Sequence, residues 1–471
     1  MRGKLLTAIF ALALAAMLAM SGALYSAAAG FTLSGETLLG SRDEAGPFAL
    51  EYSVLLGGHG EAGGRYFPAS GEGEGYSPGW SYFRRSLREE DAEPSLRPLI
   101  PRLHYTLSLP RDGSFPEGEP EWARRLYSEL LSDWNGLSAR IERPAEDYLE
   151  ALPLAFDGSG VYTADGSLGM YSYHDSFLFD CTEGFTISAW LSSGPGGYQL
   201  TIDTSGGGSL GYTSSCAVSD GDLYLLLTDF RWGGHGQKAE TLSPELLPGG
   251  GWGIFRIPCS PGDEGGLEAD FSATERVLAL PEGYEGLISA GEAGELLMLG
   301  LEGGEYTLRV LDTASGALSE PVSLAEARTD ELGSGTEIFY SDGLFAAVDN
   351  GTLIAALRED GFFRPFMSCG TNALPVSGRV REEYGEPAYS VYDRRFAFDG
   401  GRLAMLEAGL YADAYAEPGG YGSLPRRSFM RLTVFDGGGA VCCEWLDAGL
   451  PPPSLPDNGV ETRLALSAGQ S

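Results

Sequence analysis

Apolar and polar residues alternate in short runs along most of this chain, the period of half-buried β-strands. Phe48 to Leu56 (FALEYSVLL) and Leu103 to Leu109 (LHYTLSL) are the clearest early runs. Between them, Gly57 to Gly79 is rich in Gly and Glu and reads as loop, and Trp80, Tyr82 and Phe83 open another strand. The period changes once. Trp122, Leu126, Leu130, Trp134, Leu137 and Ile141 recur at helical spacing and form one apolar face. Pro120 suits a helix start, Glu119 and Glu121 suit its positive end, and Pro144 stops it. The pattern predicts a helix over 118–142, packed on a sheet.

From Tyr148 onward a small unit repeats. An acidic residue and a glycine precede an apolar strand, and a second strand ends in another glycine turn. The markers are Asp165-Gly166, Asp220-Gly221, Glu292-Ala293-Gly294, Asp342-Gly343 and Asp399-Gly400, at intervals of roughly 50–70 residues. Acid-glycine pairs make tight hairpin turns. Each unit is then a small antiparallel sheet that cannot cover both of its faces alone, so neighbouring sheets must stack. GLFAAVDNGTLIAAL, with small residues between large ones, suits close sheet-on-sheet packing. After Pro451 to Pro456 breaks the pattern, Glu461 to Leu466 returns as a strand that would close the ring.

The runs LLMLGLEGGEYTLRVLDTASGAL and FAFDGGRLAMLEAG, continuing to MRLTVFDGGGAV, resemble blades of β-propeller proteins of the WD-repeat and quinoprotein type, over residues about 150–450. The Trp-Asp dipeptide of the first type is missing. The resemblance implies an all-β, propeller-like repeat of antiparallel sheets, with an N-terminal strand region and one amphipathic helix. It implies no particular activity, because one fold hosts many functions. The rival architecture is two or three β-sandwiches in series. No Pro/Ser-rich linker follows residue 150, which favours the propeller. The N-terminal strands and helix also resemble exported proteins of bacterial cell envelopes.

The first 29 residues set the compartment. Arg2 and Lys4 precede an uncharged apolar run from Leu5 to Met20, and small residues follow. This is the layout of a secretory signal peptide, with Ala27-Ala28-Ala29 or Ser21-Gly22-Ala23 as the cut site. An uncut membrane anchor over residues 5–29 is the competing reading. Both send the chain out of the cytoplasm, to be secreted or held in the cell membrane by its N-terminus. The expected domains are 1–29 signal or anchor, 30–145 a β region ending in the helix, and 146–471 the propeller-like part.

Composition and charge narrow the partners. The 471 residues include 69 Gly, 27 Pro, 23 Tyr and 22 Phe, as many short strands and turns require. The formal net charge is −35, from 31 basic and 66 acidic residues. Residues 30–145 hold 18 acids and 12 bases; residues 146–471 hold 48 and 17. A surface this acidic repels nucleic acid, which needs a cationic face. The only lysines are Lys4 and Lys238.

Candidate chemistry is sparse. Cys181, Cys216, Cys259, Cys369, Cys442 and Cys443 form no C-x-x-C pair. They read as small buried apolar residues, with one or two disulfides as the alternative. Cys442 and Cys443 adjoin on a strand, so one should be buried and the other face outward. His59 and His235 lie in Gly-rich loops, and His104 and His174 in or beside strands. Their spacing matches no zinc motif. No nucleophile elbow and no phosphate-binding loop occurs. Asp175, Asp180 and Glu183 lie among Tyr171, Tyr173, Phe177 and Phe179, a mixture that could bind sugar rings. Turn-forming, solvated acids are the plainer reading.

No catalytic, metal or cofactor residue can therefore be assigned from sequence. The expected function is a non-enzymatic binding or scaffold module for a protein or glycan at the cell envelope. A carbohydrate-active hydrolase using paired carboxylates on a propeller is one alternative. A membrane-anchored sensor domain is another.

Overall fold

The computed structural model describes residues 33–56, 60–70, 72–80, 94–164, 166–169, 172–181, 184–194, 196–206, 213–229, 243–262, 266–329, 331–333, 335–384, 388–412, 427–448 and 460–468. Residues 1–29, expected as a signal or anchor, lie outside them. Contacts divide the chain into two compact units: Arg88–Thr336, and Met1–Leu87 together with Glu337–Ser471.

In the unit Arg88–Thr336, two of the four-stranded sheets pair their strands in chain order. Strands Gly286–Ala290, Glu295–Glu302, Glu305–Asp312 and Val322–Glu326 pair in chain order as a four-stranded antiparallel meander. Thr213–Ser219, Asp222–Thr228, Gly253–Ile257 and Glu275–Ala279 form a second. The turn between the first two strands of this second sheet is Asp220-Gly221, with φ of 51° and 84°. Both values lie in the left-handed region, as the hairpin turn matching strand twist requires.

Strand Asp222–Thr228 explains why such sheets stack. Leu223, Leu225 and Leu227 join Leu154, Phe156, Phe177 and Phe179, from strands Ala151–Ser159 and Ser172–Asp180, in one cluster. Tyr224 and Leu226 point the other way, into a cluster with Ile288, Leu296 and Met298. A strand covered on both faces reads as a continuous apolar run, LYLLL, rather than an alternating one. Each such leucine stabilises the stack by about 1.5–3 kcal/mol.

The other unit repeats the device. Glu337–Ser341, Leu344–Asp349, Thr352–Glu359 and Phe362–Gly370 form a meander in chain order. Its first turn is Asp342-Gly343, again with positive φ at both residues (51° and 79°). A five-stranded sheet follows, ordered Leu33–Gly40, Gly439–Ala448, Arg427–Asp436, Leu403–Ala412, Ala388–Phe398. Leu403 and Met405 pack on the first sheet. Ala404, Leu406 and Ala408 pack on a third sheet through Leu50 and Tyr66. That third sheet runs Val460–Ala468, Phe48–Leu56, Gly60–Phe67, Glu72–Trp80.

Chain ends thus meet twice. Leu33–Gly40 pairs antiparallel with Gly439–Ala448, and Phe48–Leu56 with Val460–Ala468. The strand expected to return near Glu461 does so against the N-terminal part of the chain. The fold class is the expected one: all-β, a propeller-like repeat of small antiparallel sheets.

Three local expectations are corrected. The helix spans Glu121–Ser132, not 118–142. Gly136 has φ 95°, and the Asn135 side chain accepts the N–H groups of Leu137 and Ser138 at 3.0 and 3.1 Å. That turn ends the helical path, and Ser138–Pro144 is a strand. Ile141 is buried, but as an alternate residue of that strand, and Leu137 is exposed. Because Ser138–Pro144 pairs with Phe185–Gly194, one sheet runs across the expected domain boundary at 145/146.

Second, Gly57 to Gly79 is not a loop throughout. Gly60–Phe67 and Glu72–Trp80 are paired strands, and Tyr66 of the first is buried in the core. Pro78 fits because Glu72–Trp80 is an edge strand.

Third, Cys442 and Cys443 do point to opposite faces, but both are buried. Their strand lies inside a sheet covered on each side.

The helix itself packs as expected. Ala123, Leu126, Tyr127 and Leu130 bury against Ala139, Ile141, Ile187 and Ala189.

Candidate functional site

The region of Asp175 and the aromatics is built on an irregular strand. Ser172–Asp180 pairs with Ala151–Ser159 in register through His174↔Leu154, then resumes at Leu178↔Pro153. Asp175, Ser176 and Phe177 fill the resulting bulge, where a strand re-aims its side chains. Ser176 donates its hydroxyl to the Phe271 carbonyl. Phe177 turns inward and meets Phe156 and Phe255 edge-on, with ring centroids 5.3 and 5.6 Å apart.

His174 is the unusual group of this bulge. Its ring stacks on Phe271, centroids 3.8 Å apart and planes within 8°. Its Nε2 is buried with no hydrogen-bond partner among the described residues. Burial pushes the imidazole below its ordinary pKa, and the nearby Asp175 charge opposes this only in part.

The sugar-site expectation is not assembled here. Phe177 and Phe179 belong wholly to the core. Asp175 is exposed and Asp180 half-buried. Tyr171 and Glu183 lie outside the described residues, as do His59 and His235.

His104 sits in a different setting. Strand His104–Leu109 is the outermost of a four-stranded sheet, paired with Gly197–Gly206. His104 lies directly across from Asp203. Nδ1 of His104 is 2.5 Å from Oδ1 of Asp203, and Nε2 is 3.4 Å from the Thr106 hydroxyl. The imidazole is 53% exposed and the carboxylate 20%. Nothing in sequence marks this group, because Asp203 stands 99 positions from His104. Only the His-x-Thr spacing, which puts two side chains on one face of a strand, was visible.

All six cysteines are free thiols. Burial pushes Cys181 and Cys216 up to about 12, and Cys259 and Cys442 up to about 11. Thiols held protonated in this way are poor nucleophiles and poor ligands. Among the described residues, no three His, Cys, Asp or Glu side chains gather as a metal ion would require.

Buried charges serve the sheets. Arg431 and Glu407, each 1% exposed, face each other across neighbouring strands. The guanidinium gives Glu407 Oε2 two bonds, of 2.5 Å from Nη2 and 2.8 Å from Nε. It also reaches the carbonyls of Leu374 and Thr371 at 3.4 Å each. Arg394 extends the pair to Glu407 at 3.2 Å and Glu337 at 3.4 Å.

No protein-family model matches the chain, and no curated protein matches it. Similar solved structures include Hsv2 of Kluyveromyces lactis, 13% identical over 57% of this chain and 76% of that one, with a TM-score of 0.24. The periplasmic gluconolactonase PpgL of Pseudomonas aeruginosa is 10% identical over 88% and 99%, TM-score 0.27. TolB of Acinetobacter baumannii is 11% identical over 90% and 83%, TM-score 0.23. At such TM-scores these likenesses carry no weight for function. The blade-like sheets stand on their own strand order. Among the described residues, no helix is long and apolar enough to cross a membrane.

Proposed function

We propose that this chain is an exported binding scaffold that holds a protein or a glycan at the cell envelope. One observation carries the reading. Of the four charged side chains buried among the described residues, Asp349, Glu407, Arg431 and Glu444, the last three are engaged between strands and sheets. Charge spent this way stiffens a platform, and rigid sheets that present variable loops are a common basis for recognition. The net charge of −35 favours a cationic or neutral partner over an anionic one. The leader supports export.

The test has two arms. Cell fractionation with N-terminal sequencing should find the chain outside the cytoplasm, either cut after Ala29 or Ala23 or retained through residues 5–29. Titration of the purified protein against cell-wall glycans and basic envelope proteins should give saturable binding. A chain that stays in the cytoplasm, or that binds none of these, overturns the proposal.

A further inference from the structure

Asp203, His104 and Thr106 line up as carboxylate, imidazole and hydroxyl. With Asp203 ionised, its 2.5 Å contact keeps the imidazole proton on Nδ1. Nε2 is left with a lone pair, 3.4 Å from Thr106 Oγ1. This is the order of a nucleophile, its base and the group that orients the base. The last distance is loose, as such contacts often are before a substrate arrives.

A second feature lies in the backbone of the same strand. Thr204 N–H donates to Leu103 O at 3.0 Å, and Leu103 N–H goes to Thr204 Oγ1 at 2.7 Å. Leu103, Tyr105 and Leu107 therefore turn their polar backbone groups toward the neighbouring strand. His104, Thr106 and Ser108 turn theirs away from it, along the outer edge of the sheet. Among the described residues no strand pairs on that side. An extended chain can add there as a further strand.

We propose that Thr106 is an acylatable nucleophile and that this edge cleaves esters carried on extended chains. The inference goes beyond the scaffold reading and does not depend on it. Thr106 Oγ1 bonds to the ester carbonyl carbon while its proton passes to His104 Nε2. The bond to the leaving alkoxide then breaks, and that oxygen takes the proton from Nε2. Water attacks the acyl-Thr106 ester, gives a proton to the same nitrogen, and releases the acid; the proton returns to Oγ1. An ester suits the site better than an amide. The face is open to solvent, and the leaving alkoxide needs less help than an amine. His104 and Thr106 are catalytic residues; Asp203 is a positioning residue.

The experiment uses the full chain with p-nitrophenyl acetate. Nitrophenol release should be accompanied by one acetyl group on the peptide containing residue 106, read by mass spectrometry after acid quench. Thr106→Val and His104→Gln should abolish both signals, and Thr106→Ser should keep them. Asp203→Asn should lower kcat by at least about 10²-fold with KM little changed. His104 and Thr106 are exposed and Asp203 is half-buried, so circular dichroism of each variant should match that of the parent chain. Absence of acetyl on Thr106, or release that survives Thr106→Val, overturns the proposal.

Discussion

The Tyr66 hydroxyl donates a 3.0 Å hydrogen bond to the Glu444 carboxylate, joining residues 378 positions apart. Glu444 is fully buried and sits in a sheet next to the one that carries Tyr66. Its other oxygen meets Arg42 at 2.5 Å and the Thr37 hydroxyl at 3.3 Å. Burial and the adjacent negative charge both push the Tyr66 phenol upward, so it remains a donor through neutral pH. Tyr66→Phe leaves that carboxylate oxygen short of a partner. The expected cost is about 1–3 kcal/mol, read as a lower urea midpoint with an unchanged slope.

The Arg431–Glu407 pair should behave asymmetrically. Removing Glu407 takes the carboxylate from the buried Arg431 guanidinium and is expected to cost about 3–5 kcal/mol, while removing Arg431 leaves Glu407 only Arg394 at 3.2 Å. Replacing both, as in Arg431→Met with Glu407→Leu, should recover most of that loss. A double-mutant cycle under denaturant measures the difference. Equal, additive losses would show that the pair is not coupled.

Much of this architecture was legible in the sequence, and the legible part was the turn chemistry. Asp220-Gly221 and Asp342-Gly343 need positive φ at both residues, and few residue pairs supply it. The strands they join followed from that. The Gly-rich strands Gly60–Phe67 and Glu72–Trp80 were not legible, because glycines carry no side chain to show the two-residue period although their backbones pair with neighbouring strands. The helix was overrun because Leu137 and Ile141 fit both the helical and the two-residue period, and the Asn135-Gly136 turn decided between them. The Glu444 contacts and the Asp203–His104–Thr106 line were invisible. They join residues brought close only by strand pairing.

His174 gives a pH dependence. Its folded pKa lies below the ordinary value of about 6.5 that the unfolded chain keeps. The unfolded state therefore takes up the proton first, and stability should fall as pH drops through about 6.5. His174→Phe should flatten that part of the stability–pH curve in denaturant titrations from pH 5 to 8. An unchanged curve would show that the imidazole is solvated.

The thiols should be silent in the folded protein. With Cys181 and Cys216 pushed up to about 12, an aromatic disulfide reagent at pH 7 should label none of the buried cysteines within minutes. All six should react once the chain is unfolded. Rapid labelling of the native protein would contradict the packing around them.

The pairing of the two chain ends is tested most directly by hydrogen exchange under native conditions. Peptides covering Phe48–Leu56 should exchange as slowly as those of the interior strands Leu403–Ala412 and Arg427–Asp436, and the amides of the edge strand Leu33–Gly40 that face Gly439–Ala448 should be protected as well. Deleting residues 33–40 should then speed exchange in Gly439–Ala448. Exchange of 33–56 within seconds, with 439–448 indifferent to the deletion, would contradict the account.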